Sequence, residues 1–238
     1  MLEAEILSDL VPKSKQNLFT LYMKYWQTGW QHFISDTRCT EIKQQQIRLL
    51  EKAIRRDFQL SQNFLSRLQK AFIKEDLSLY LLLDMLTAWH YLAADKPPTS
   101  EEQLSKIIGA TTSPLARMIM VLNDESPVTY LPMQELLSAL LWYDLWQKKS
   151  VLVKKVRLTQ RQKNNKLKGQ MKSAMVLLAI VCHKRLKWRL ALFLNKTSLL
   201  MQNNKQENIG VLDEIKIILY SIYQFITVRH RTMIRKGI

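Results

Sequence analysis

The stretch YDLWQKKSVLVKK, Tyr143 to Lys155, sets an acid and a base four residues apart, Asp144 and Lys148, and then runs into lysines with no acid following. On a helix such a pair has two chemical uses. It stabilises its own helix by roughly a few tenths of a kcal/mol, or its ammonium forms one edge of a site for a phosphate-bearing anion. The residues alone leave both open. Other chemistry-bearing types are dispersed: His32, His90, His183 and His230 lack a ligand-spaced cysteine or carboxylate cluster, so zinc is not expected. There is no nucleophile-elbow pattern, and five glycines are too few to suggest a phosphate-cradling loop. Cys39 and Cys182 are far apart and match no metal spacing, which fits unpaired thiols in a reducing, cytoplasmic compartment.

The net charge of +16 is unevenly placed. Up to Asp144 there are 15 bases and 17 acids; from Leu145 onward there are 21 bases and 3 acids, so the cationic part is the C-terminal one. Such asymmetry points to an anionic partner. If the chain is helical throughout this region, Lys154, Arg157, Arg161, Lys168 and Lys172 fall on one stripe, either a phosphate-facing ridge or a solvated face. No Phe, Tyr or Trp lies between Lys148 and Lys187 for bases to stack on, which disfavours single-stranded nucleic acid. HKRLKWRLALFL mixes bases with Trp188, Leu190, Leu192 and Phe193, as interfacial helices do, and a core helix with snorkelling basic edges reads the same way.

These residues need helices to hold them. Few glycines and prolines with abundant Leu, Ile, Lys, Gln and Met predict a nearly all-α chain, and 47% hydrophobic residues can fill a core. LFTLYMKYWQTGWQHF reads as a buried helix with a broad aromatic face; Ile47 to Phe72 follow a second helical pattern and Leu79 to Leu92 a third. Thr99 or Ser100 with Glu102 or Gln103 resembles a capping box, and Ser113 with Pro114 a further helix start. A long helix is expected from Met133 to about Leu158, then helices over Ser173–Leu194 and Val211–Val228. Trp26, Trp30, Trp89 and Trp142 are expected in the core. No domain boundary is visible, so residues 1–238 are read as one helical-bundle domain with a strongly basic C-terminal part. Met1 to Thr20 lacks the pattern of a secretion signal, and no apolar run reaches membrane-spanning length.

ATTSPLARMIMVL resembles the Asn-Pro-Val-Gly-Arg region of the squalene and phytoene synthases, head-to-head prenyltransferases of the isoprenoid synthase fold, with Pro114 and Arg117 matching and Ala116 in place of glycine. YDLWQKK resembles the Asn-Phe-Trp-Gln-Asp-Val of that family's second aspartate-rich motif, with Trp146 and Gln147 in place. NLFTLYMKYWQTGWQHF sits where the family has a tyrosine helix with the first such motif, and Tyr22 takes the tyrosine position. The resemblance covers roughly Val11 to Leu200. It implies an all-α isoprenoid synthase bundle, Mg²⁺, isoprenyl diphosphate substrates, and Tyr22, Arg117, Asp144, Gln147 and Lys148 as substrate-binding residues.

Family chemistry needs carboxylates four apart, which jointly hold Mg²⁺ against diphosphate and so make it a leaving group. Here the first pair falls on Gly29 and Phe33, with Trp26 at an arginine position, and the second pair on Lys148 and Leu152. No acid lies between Asp9 and Asp36, so a shifted alignment does not restore the first motif. No metal cofactor or catalytic residue is therefore expected, and the residues lean away from catalysis. Three expectations follow: a divergent pseudoenzyme that binds an isoprenoid-like lipid, an anionic membrane surface at the cytoplasmic side or a protein partner; an active prenyltransferase condensing isoprenyl diphosphates; or a basic helical nucleic-acid-binding or scaffold protein.

Overall fold

A computed structural model describes residues 7–35, 39–55, 64–93, 98–150 and 152–202. Among these the secondary structure is helical, with no strand. Helix α1 (Gln16–Ser35) buries Leu18, Phe19, Tyr22, Met23, Tyr25, Trp26, Trp30 and Phe33, the three- and four-residue spacing of one broad face. Fully burying one of these large side chains contributes about 1.5–3 kcal/mol, so this face alone commits α1 to the interior. Helices α2 (Thr40–Arg55) and α3 (Phe64–Lys74) each bring a narrower stripe, Ile47 and Ile54 from one, Leu68 and Phe72 from the other. The pattern read over Ile47 to Phe72 is thus carried by two helices, with Phe58 and Leu60 outside the described residues. Helix α4 (Tyr80–Leu92) is apolar nearly all round and lies against α1, α2 and the next helix.

Helix α5 (Glu101–Leu122) starts where the capping signal puts it: the Ser100 hydroxyl accepts from the Gln103 N–H, and the Gln103 amide oxygen accepts from the Thr99 N–H at 2.9 Å. It does not restart at Ser113, because Pro114 lies inside it. A mid-helix proline leaves upstream carbonyls short of a partner. Carbonyls on either side of the one it frees, that of Ala110, accept from side chains. Thr111 and Thr112 donate to Ile107 and Ile108, Gln134 donates to the Gly109 carbonyl, and the Trp26 indole donates to the Thr111 carbonyl at 3.0 Å.

Helix α6 (Tyr130–Gln147) returns antiparallel to α5, tied by the buried Thr112–Ser138 hydroxyl pair at 2.8 Å. It stops at Gln147 and does not continue to Leu158. Lys149 adopts φ 47°, the Ser150 N–H donates to the Leu145 carbonyl and the Lys149 N–H to the Trp146 carbonyl, the double closure of a Schellman stop. Leu152 and Val156 then pin the connecting segment to the core while Lys154, Lys155 and Arg157 stay exposed. The continuous basic stripe therefore does not form. Helix α7 (Gln160–Ala174) begins at a capping box of Thr159 and Gln162, and Asn164, Asn165 and Gly169 lie within it.

The helix expected over Ser173–Leu194 is split. A short α8 (Leu177–Ile180) ends at extended Val181, and α9 (Lys184–Gln202) follows. The carboxylate of Glu125, from the α5–α6 turn, accepts from the Cys182 N–H, the His183 N–H and His183 Nδ1 at 2.9–3.1 Å, which fixes this break. Leu190 and Leu194 of α9 lie in the core and Phe193 packs against it, so the helix is a core element with basic edges and its apolar face is not an interfacial one. The expected helix over Val211–Val228 lies outside the described residues. No described helix is long and apolar enough to cross a membrane.

Candidate functional site

At the C-terminal end of α1, Gly29 and Phe33 stand where the resemblance assigns a first pair of metal-binding acids. Gly29 lies directly under the Trp89 side chain of α4. A Cβ at this position would meet Cζ2 of Trp89 at 2.0 Å and Cε2 at 2.1 Å, far inside any tolerated contact. Trp89 is held there by aromatic neighbours, the edge of Tyr25 with ring centroids 4.7 Å apart and the tilted ring of Phe33 at 5.6 Å. Thus an indole fills the space through which a carboxylate at position 29 would have to project. Trp26, at the arginine position, is fully buried, hydrogen-bonded to the Thr111 carbonyl and stacked on Trp30.

Beside this packing a groove of about 610 Å³ opens between α1, α2, α3 and α4. Tyr25, Phe33, Leu49, Leu50, Phe64 and Trp89 give it apolar walls, Thr28, His32 and Gln46 are polar members of the lining, and no lysine or arginine lines it among the described residues. His32 Nε2 and Gln46 Oε1 lie 3.1 Å apart, so these two groups partly satisfy each other. The volume falls within the roughly 300–1,000 Å³ usual for small-molecule sites.

The second motif keeps its first helical turn only. Asp144 and Lys148 form an ion pair at 2.6 Å, with the Lys148 side chain 60% exposed, and Gln147 is exposed beside them. Because α6 stops there, Leu152 is not one turn further along the same face; it is buried in the connecting segment. Among the described residues no group of three or more His, Cys, Asp or Glu side chains could hold a metal ion. Neither position assigned to the metal fits Mg²⁺: one is blocked by Trp89, the other carries an ammonium.

Tyr22 and Arg117 lie elsewhere. Tyr22 is fully buried, donates to the Leu81 carbonyl at 3.0 Å, and packs on Phe72. Burial, then Tyr25 and Asp84, push its hydroxyl pKa well above the usual value, and Arg117 pulls weakly the other way. Arg117 is ion-paired to Asp84 of α4, a partner the sequence did not single out. Lys166 bonds Ser105 at 2.9 Å and lies over Trp142, which fixes the level of α5 against α6. From that level Arg117 lies twelve residues one way and Lys148 six residues the other, so helical rise separates them by roughly 25 Å. The five residues expected to share one substrate therefore form two separate groups, and a single diphosphate cannot touch both.

The same contacts explain part of the basic excess. Lys166 is paired with Glu101 at 2.9 Å, and Lys163 and Lys166 sit 5.7 and 5.4 Å from the ring centres of Trp146 and Trp142. Those cations bind α7 to α6, each contact contributing about 0.5–1 kcal/mol. The aromatics are absent from the basic stretch itself and come from the preceding helix.

No family model and no curated protein sequence matches the chain. Among solved structures it matches a dehydrosqualene synthase crystallised in complex with ligand, with a TM-score of 0.60 and 13% identity, over 93% of this chain and 91% of that one. The identity is low, so the likeness concerns the fold, and on it the chain has the all-α architecture of the isoprenoid synthases, of squalene and phytoene synthase-like type.

Proposed function

We propose that this chain is a divergent relative of the squalene and phytoene synthases that binds an uncharged isoprenoid-like chain in the groove beside Gly29 and does not ionise a prenyl diphosphate. One observation carries this reading: Trp89 occupies the space of the first metal-binding acid while helping to wall an apolar groove. Ionising an allylic diphosphate requires cations to neutralise the charge that develops on the leaving oxygen, and a lone partly exposed lysine cannot replace a metal cluster. Apolar walls remain able to take a hydrocarbon chain, because removing its surface from water is favourable without any metal. Chain binding without a bound diphosphate is what such a groove supports.

The test pairs two readouts on the full chain. Incubation with farnesyl or geranylgeranyl diphosphate and Mg²⁺ is expected to release no pyrophosphate above background, while titration with farnesol quenches or shifts the fluorescence of Trp89 and its neighbours. Leu50→Trp, which narrows the groove, should weaken farnesol binding by about tenfold or more, the order expected when apolar surface is denied to a ligand. Steady pyrophosphate release, or farnesol binding indifferent to Leu50→Trp, would overturn the reading.

A further inference from the structure

The end of the molecule remote from the groove collects exposed apolar residues. Eight large hydrophobic residues are exposed among the described ones, and Ile73, Tyr80, Val128, Leu131 and Val176 belong to this end. Its elements are joined by specific contacts. Asn123, after α5, donates to the Leu10 carbonyl before α1, Lys15 pairs with Glu75 just after α3, and Asp84 of α4 pairs with Arg117 of α5. Glu125 holds Cys182 and His183, and α8, which Val176 immediately precedes, lies against the Pro127–Thr129 turn that carries Val128. Val128 and Leu131 are 62% and 64% exposed and three residues apart at the start of α6; Tyr80 is 69% exposed at the start of α4.

Exposed Lys172 lies in the last turn of α7, four residues before Val176, and exposed Lys184 and Arg185 open α9 just after the Cys182–His183 break. No acid occurs from Leu145 to Gln202, and the Glu125 carboxylate is buried against Cys182 and His183, away from the exposed surface. The exposed acids of this end, Asp9, Asp76 and Asp124, lie on the segments before α1, after α3 and after α5. An edge of aliphatic side chains and a tyrosine beside lysine and arginine matches the two requirements of an anionic bilayer surface, apolar insertion and headgroup attraction. A nucleic-acid backbone would use the bases and leave the exposed Val128 and Leu131 without a role.

We infer that this end, through Val128, Leu131 and Val176 with Lys172, Lys184 and Arg185, docks the protein reversibly on an anionic phospholipid surface. The surface is independent of the groove, so docking and chain binding stand or fall separately. Flotation of the full chain with phosphatidylcholine vesicles, with and without phosphatidylglycerol, tests it. The chain should float with the anionic vesicles, detach as salt rises, and stay behind with neutral ones. Val128→Ser with Leu131→Ser, and separately Lys184→Glu with Arg185→Glu, should each lower the bound fraction by about tenfold or more, as expected for two apolar anchors or two headgroup charges. All four residues are exposed or rim positions, so thermal unfolding of the variants should match the parent. Equal flotation with neutral vesicles, or binding untouched by either pair, overturns the inference. So does duplex DNA at equal phosphate that holds the chain as well as vesicles do, without dependence on Leu131.

Discussion

Gly29 shows how much one residue can decide. Its missing Cβ lets the Trp89 indole approach the α1 backbone, and the same approach removes the room for an acid. Gly29→Ala should therefore destabilise the protein by about 1–3 kcal/mol through overpacking, and Gly29→Asp by more, with no gain of Mg²⁺-dependent activity. Urea midpoints with and without Mg²⁺ check both. Arg117→Ala should cost about 1 kcal/mol or less, because both members of its pair with Asp84 are more than one-third exposed. A larger loss would mean that Arg117 holds more than this pair. Tyr22 and Tyr25 both have hydroxyl pKa values raised by burial. In the unfolded chain tyrosine ionises near pH 10, so above that pH the unfolded state releases protons that the folded state keeps, and stability falls. Unfolding midpoints should be unaffected by this term below about pH 9 and drop above about pH 10, less steeply in Tyr22→Phe. The aromatic face of α1 was legible from its spacing. The Gly29–Trp89 contact was not, since it joins residues sixty positions apart.

At the scale of elements, helix ends carry the departures from the sequence reading. Pro114 reads locally as a helix start, yet side chains from α1 and α6 serve the carbonyls around it, and such partners are invisible to a local pattern. Conversely, the apolar spacing across Gln147 suggests continuation, but Lys149 takes a left-handed conformation that no local residue signals. Lys149→Gly should stabilise the protein by about 1 kcal/mol, the steric cost of a side chain at such a position. Unchanged or lower stability would contradict the assigned stop. The break before α9 rests on Glu125. Glu125→Ala should cost about 2–4 kcal/mol, because two backbone donors and a histidine lose their acceptor, whereas Glu125→Gln should retain part of it. Thermal unfolding of the two variants gives the comparison. The Ser100 cap, by contrast, was readable because it is made by residues three apart.

For the whole molecule, the sequence carried the fold class through composition and a handful of short identities, and the structural match over most of both chains agrees with it. The grouping of site residues was not carried, because the resemblance fixes positions along helices and not the levels at which helices meet. Arg117 and Lys148 are both cations near expected motifs, but antiparallel packing of α5 and α6 sends them to opposite ends. The charge total was similarly ambiguous until α7 placed two of its lysines over Trp142 and Trp146 and left others outward. What emerges is an all-α fold like that of a dehydrosqualene synthase, with aromatic rings packed at the positions where the resemblance would put the first pair of acids. Titration calorimetry with farnesyl diphosphate, in Mg²⁺ and in a chelator, bears most directly on that claim. The same affinity is expected in both buffers; an affinity that rises several-fold with Mg²⁺ and disappears in the chelator would mean that a metal site persists.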